Sequence, residues 1–135
     1  MSLINAFRVG ASATVAQSQR LNAIASNIAN AESTASADGV PYRAKQVVFR
    51  PTASFDSVAA GVEVAGVTES AAPLRRTYQP GHPHADATGY VQGSNVDPVE
   101  EMVNMVAASR SYQMNIDLMN NSRQLLQRVI DMVRT

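Results

Sequence analysis

Few residues in this chain could carry out chemistry, and their spacing does not favour it. The only two histidines stand in Gly81-His82-Pro83-His84-Ala85-Asp86. Two imidazoles beside a carboxylate are a ligand set that divalent metals accept. The chain adds no cysteine and no third histidine, and Pro83 stiffens the linker, so the segment reads as a proline-rich surface loop with no metal. Serine is plentiful, but no G-x-S-x-G elbow occurs, and the sole candidate bases sit in that loop. Neither G-x-G-x-x-G nor G-x-x-x-x-G-K-[ST] is present to cradle a phosphate. Glu100-Glu101 reads as a pair of first-turn acids complementing a helix dipole, not as an acid–base couple. No catalytic residue, metal or cofactor is expected.

Arg43, Lys45 and Arg50, with Tyr42 and Phe49 between them, have the make-up of a small nucleic-acid patch. Three charges at alternate strand positions read as a solvated face or a charged protein contact. The 11 basic and 11 acidic residues cancel, which removes the surplus that phosphate binding needs and disfavours a polybasic lipid tether. A neutral surface suits a chain that packs against others. Aromatic residues make up only 5% of the 135 residues, so a deep pocket lined by rings is not expected. The absence of cysteine excludes disulfides and thiolate chemistry. The opening residues, with no basic residue before Arg8 and spaced apolar residues, do not read as a cleavable signal. No apolar run approaches the ~20 residues of a membrane span.

The elements that would position these residues fall into three segments. Residues 2–31 lack proline. Steps of three and four lead from Ile4 through Phe7, Ala11, Thr14, Ser18, Leu21 and Ala25 to Ile28, predicting an amphipathic helix of roughly 28 residues, about 42 Å long. Residues 32–96 hold most of the proline and glycine. Short apolar runs predict strands at Lys45–Arg50, Gly61–Glu69, Leu74–Gln79 and Thr88–Gln92, with turns at Pro80-Gly81 and Gly89. In residues 97–135, Asp97 is an N-cap, Pro98 fits the first helical position and Glu100 completes the box. From Met102 the same spacing passes Met105, Ser109, Tyr112, Ile116, Met119, Arg123 and Leu126 to Ile130 and Val133. This predicts a helix of roughly 36 residues, about 54 Å long, with coiled-coil packing. The predicted fold class is α+β. The long terminal helices pair as an antiparallel coiled-coil-like hairpin (2–31 plus 97–135), and a small β-rich unit with extended linkers occupies 32–96.

Asn22, Asn27 and Asn30 are unusual in a helix, where an amide competes with the backbone. Asn27 and Asn30 share a face, and Asn22 lies roughly 140° and 80° from them. They mark either a fraying helix end or amides that bond across an interface or onto the chain as it leaves the helix.

Leu21-Asn22 and Ser26-Asn27-Ile28-Ala29-Asn30-Ala31 resemble the N-terminal signature of the flagellar axial proteins, the rod, hook and hook-associated family. Other segments carry the resemblance across nearly the whole chain: Pro41 through Phe49, Tyr78-Gln79-Pro80-Gly81-His82-Pro83 with Ala85-Asp86, Gly89-Tyr90-Val91, Asn95-Val96-Asp97, Glu101-Met102-Val103, and Ser109-Arg110-Ser111-Tyr112-Gln113. Together with the length, they point to the proximal rod members, since distal rod and hook proteins are longer. Met114 stands where alanine is usual, enlarging a helix contact, and Pro98 stands where an apolar residue is common.

The resemblance implies a structural subunit of the basal-body rod, polymerising in the periplasm into the drive shaft that transmits torque. It implies secretion through the flagellar type III export apparatus without signal cleavage. Expected partners are other copies of the chain, the sister proximal and the distal rod proteins, and the rod-base junction protein; nucleic acid and lipid are not among them. The candidate assembly interface is Ile4, Phe7, Leu21, Asn22, Asn27, Ile28 and Asn30 on the first helix. On the second it is Met102, Met105, Arg110, Tyr112, Ile116, Met119, Leu126, Ile130 and Val133. The competing reading is a cytoplasmic coiled-coil adaptor or regulator, which should carry a more charged outer face than residues 9–31 offer.

The metal-free reading of the loop is tested by His82→Ala with His84→Ala. Metal content measured by mass spectrometry should stay at background in both proteins. Stoichiometric zinc or iron in the wild type, lost in the double variant, would overturn it.

Overall fold

The computed structural model describes residues 3–34, 39–52 and 60–133. Ser2, Arg134 and Thr135, placed by the sequence in the helical unit, lie outside the described residues, as do 35–38 and 53–59 of the β-rich unit. The first helix, α1 (Leu3–Ala29), and the last, α2 (Pro98–Val133), enclose four strands: β1 (Lys45–Pro51), β2 (Val62–Glu69), β3 (Arg76–Tyr78) and β4 (Tyr90–Gln92). The α+β class and all four strand segments match expectation, with β3 and β4 shorter than the runs that suggested them.

Each helix begins or ends where its residues dictate. At α2, Asp97 Oδ1 accepts the backbone N–H of Val99 at 2.9 Å and of Glu100 at 3.3 Å, satisfying donors that the helix itself leaves unpaired. At the end of α1, Asn30 donates from Nδ2 to Ser26 O at 2.8 Å, while Ser33 donates from its amide and its hydroxyl to Asn30 O. The helices run antiparallel. A Cβ on Gly10 would lie 3.0 Å from Met119 Cγ, and at the other end Ser94 Oγ donates to Ala31 O at 2.7 Å.

The strands form two separate antiparallel ribbons, β1–β2 and β3–β4. A bulge shifts the first register, so that Val48 pairs Gly66 but Phe49 pairs Val64. Two-stranded ribbons are marginal alone; side chains tie β1–β2 to α1, while β3–β4 is held at its flanks to the chain just after α1, where Arg75 donates to Ala31 O at 3.2 Å and Gly93 bridges Thr34. Ser12 Oγ on α1 accepts the Val62 amide at 3.1 Å. Asn27 is 1% exposed. Its Nδ2 donates to Lys45 O at 2.9 Å, and its Oδ1 accepts the Lys45 amide at 2.8 Å and the Tyr42 hydroxyl at 3.0 Å. Asn95 Oδ1 accepts the Ala44 amide at 2.7 Å, while its Nδ2 donates to Ser70 O and Ala72 O. Ala31, Ala44 and Val96, with Tyr42 against them, form the small apolar core at this junction.

The β3–β4 turn is built around Asp86. Its Oδ1 accepts the Thr88 hydroxyl at 2.6 Å and the Thr88 and Tyr90 amides at 2.9 and 3.0 Å. Arg76 donates to Oδ2 at 3.0 Å. Gly89 takes φ +83°, and a Cβ there would stand 2.8 Å from the Tyr78 ring, so both backbone and space require glycine.

Two outcomes follow. Asn27→Asp is isosteric but sets a carboxylate oxygen against Lys45 O. It should cost about 2–3 kcal/mol, read as a lower urea midpoint, while Asn22→Asp on the exposed face should stay within about 0.5 kcal/mol. In the Asp86 turn, the Thr88 hydroxyl, followed by the Tyr90 amide, lowers the carboxyl from 3.8 to about 2. A depressed pKa stabilises the turn above the unfolded value and ceases to do so as pH falls through the folded one. Protection of the Thr88 and Tyr90 amides from hydrogen exchange should therefore hold at pH 5 and disappear between about pH 4 and pH 2. Protection independent of pH over that window would contradict the assignment.

Candidate assembly interface

The α1–α2 contact is a seam of close approach. On α2 it is lined by Glu101, Met105, Ala108, Tyr112, Asn115, Met119, Ser122 and Leu126, in alternating steps of four and three, and none of them is exposed. Ala108 and Ser122 are buried outright. That is a heptad seam, but rotated from the expected stripe. It shares Met105, Tyr112, Met119 and Leu126 with the sequence reading and takes Ala108, Asn115 and Ser122 where that reading followed Ser109, Ile116 and Arg123. Small residues on both helices explain the rotation. Gly10 and Ala16 are the buried residues of α1 along this stretch. Gly10 lets Met119 lie against the backbone, and Thr14 Oγ1 reaches Met119 Sδ at 3.7 Å. Thr14 lay on the expected α1 stripe, whereas Gly10, Ala108, Asn115 and Ser122 were missed because the stripes were seeded on larger apolar residues. Their heptad spacing was the signal that could have found them.

The candidate interface residues therefore divide. Asn27 is buried, and Leu21, Ile28, Asn30, Met105, Tyr112, Ile116, Met119 and Leu126 are half-buried. Ile4, Phe7, Asn22, Met102, Arg110, Ile130 and Val133 are exposed, Val133 at 82%. The structure gathers the second set on no single site of this chain. A fraying end does not describe Asn30, whose amide and carbonyl close the helix, and Asn27 bonds onto the departing chain.

The chemistry-bearing residues do not converge. His82 Nδ1 accepts the His84 amide at 3.1 Å, and the two rings are 5.4 Å apart. Among the described residues no group of three metal-ligating side chains occurs. Glu100 and Glu101 line a cleft of about 380 Å³ opposite Arg20 and Lys45. Glu101 Oε2 is buried there without a hydrogen-bond partner, and no histidine stands near. No described helix is long and apolar enough to cross a membrane.

Two family models match the chain. Residues 87–132 match the C-terminal model of flagellar basal body rod FlgEFG proteins, and residues 7–35 match the flagella basal body rod protein model. The chain is 53% identical to the flagellar basal-body rod protein FlgC of Escherichia coli, over 93% of this chain and 94% of that protein. Identity and coverage are the same for the FlgC protein of Salmonella typhimurium. For that of Borreliella burgdorferi identity is 33%, over 93% of each chain. The matched stretches contain the residues that meet at the hairpin junction, Asn27 in one and Asn95 in the other. Identity this high over nearly the full length places the chain in the FlgC family of flagellar basal-body rod proteins.

Proposed function

We propose that this chain is a structural subunit of the proximal rod, polymerised in the periplasm with further copies of itself, with sister and distal rod proteins and with the rod-base junction protein. On this reading the flagellar type III apparatus exports it unfolded and without cleavage. It performs no reaction and binds neither nucleic acid nor lipid. Its task is mechanical: to pass torque from the motor to the hook. The unit formed by 2–31 and 97–135 makes the packing surface, and 32–96 forms a smaller outer unit. The relatives lend no support to a cytoplasmic adaptor.

The observation that supports this best is the surface left uncovered. The chain exposes 9260 Å², against roughly 6,800 Å² for a compact monomer of 14.4 kDa. Among the described residues the buried apolar ones are mostly alanine, with only Ile24, Val91 and Val96 larger. A long hairpin with so small a core gains the rest of its burial from neighbours.

The test combines location with assembly. The chain should be recovered in purified basal bodies, and deletion should abolish swimming. Ile116, half-buried beside the helical seam, should not tolerate a carboxylate. Ile116→Glu gives up part of about 1.5–3 kcal/mol of apolar burial and adds the cost of desolvating a charge, repeated in every subunit. It should yield secreted protein, no rod beyond the base and non-motile cells, while Asn120→Glu on the exposed face swims normally. Equal swimming by the two variants would refute the packing role of this face.

A further inference from the structure

Helix α2 carries a second apolar seam that the described residues of this chain leave largely uncovered. Starting at Val99 and stepping by four, four and three, it reaches Val129, and all nine positions on the path are exposed. Seven are apolar; the polar exceptions, Arg110 and Asn121, stand eleven residues apart. Val103, Met114 and Leu125 repeat at the same interval. Met114 is 70% exposed at the centre of the seam. Leu118 lies at its edge, with one methyl reaching the Gly10 flank.

The two seams of α2 differ in period. The inner one repeats every seven residues and drifts one way around the helix by ~20° per repeat. The outer one repeats every eleven and drifts the other way. A helix cannot supercoil to follow both. A partner on the outer seam packs with the opposite hand to α1 or lies nearly parallel to the axis.

We infer that the outer seam of α2 receives the exposed face of α1 from a second copy of this chain; this rests on the rod-subunit reading above. Three features select that occupant. The exposed face of α1 offers Ser18, Asn22, Ala25 and Ala29, small residues into which Val, Met and Leu knobs can insert. The contact is heterologous. Each copy that uses its α2 seam leaves its α1 face free for the next, so the contact propagates, whereas α2 against α2 would stop at a dimer. The area also fits. A seam about 45 Å long on a helix about 10 Å wide buries roughly 450 Å² per partner, well under the ~800 Å² of a stable pair. One contact is too small to hold a dimer in dilute solution, and a copy engaged through both faces doubles it.

The chain has no cysteine, so introduced thiols report this contact alone. With neighbours side by side at one height, Met114 should face Ser18 and Val103 should face Ala29, the same eleven-residue step on both helices. Met114→Cys with Ser18→Cys, and Val103→Cys with Ala29→Cys, are expressed in motile cells. The same α2 thiols are also paired with Cys at 15, 22 or 25 to cover a stagger, and basal bodies are isolated and oxidised. The expected result is a ladder of dimers, trimers and larger species of this chain from double variants, abolished by reductant and absent from every single variant. Dimers from Met114→Cys alone would mean that two α2 seams meet. A bond joining one copy to a different protein would assign the seam elsewhere. The chain present in basal bodies but without a ladder in any pair would remove the contact; either of these results overturns the inference. Absence of the chain from basal bodies would instead overturn the rod reading and this inference with it.

Discussion

One side chain replaces a strand. The carboxamide of Asn27 bonds both backbone groups of Lys45, as a neighbouring strand would, and it does so from a helix. It is the most buried large side chain at the junction, together with Ser94. Only an amide offers a donor and an acceptor at that separation without charge. With Asn95 holding the preceding residue, Ala44, by its amide, the start of β1 is fixed between the end of α1 and the residues leading into α2. The C-terminal end of α1 and the residues leading into α2 thus meet at adjacent backbone units, Ala44 and Lys45, which suits the antiparallel course of the helices. A ribbon of two strands and a core of three small residues would not specify the arrangement by burial alone. Directional bonds at low exposure do so, because leaving either partner unpaired costs more than the bond itself contributes.

From that junction the helices approach closely along their length, and close approach selects small residues. Ala108, Ser122 and Gly10 are the small buried positions of the seam, and the larger methionines and Tyr112 stand between them. This is a tightly packed but shallow seam. It alternates Met105, Tyr112, Met119 and Leu126 with small residues and leaves Val99, Val103, Met114 and Leu125 of α2 exposed. A chain built this way is organised by bonds at one end and by a narrow seam along its length.

The sequence made some of this legible and hid the rest for identifiable reasons. Helix boundaries were readable because Asp97-Pro98 and the proline-free stretch from 2 to 31 act locally. The strands were readable because β-branched runs stand between turn residues. The asparagines were recognisable as anomalies, yet their partners were not, since Lys45 is eighteen residues from Asn27 and its backbone carries no sequence signal. The seam was misread by a rotation. Hydrophobic spacing ranks Ile116 and Met102 above Ala108 and Ser122, while the structure ranks by how near two backbones come. The predicted stripe keeps Met105, Tyr112, Met119 and Leu126 of the inner seam and replaces its small positions by neighbours one residue on, while Met102, Ile130 and Val133 at its ends are exposed.

Torque gives a reason for dividing the contacts in this way. A shaft loaded in shear fails at its weakest contact, and a contact held by one deep pocket concentrates the load. Seams along helices of 27 and 36 residues spread it over many small contacts, each worth little alone. Bonds that do not slide, those of Asn27 and Asn95, are placed inside the subunit, where they hold its own shape. The exposed apolar residues of α2 are alkyl and thioether side chains, whose packing tolerates small displacement better than a directional hydrogen bond would. If copies meet through them, as inferred above, rigid bonding within each copy and distributed apolar contact between copies would let the assembly twist slightly under load while each subunit keeps its register.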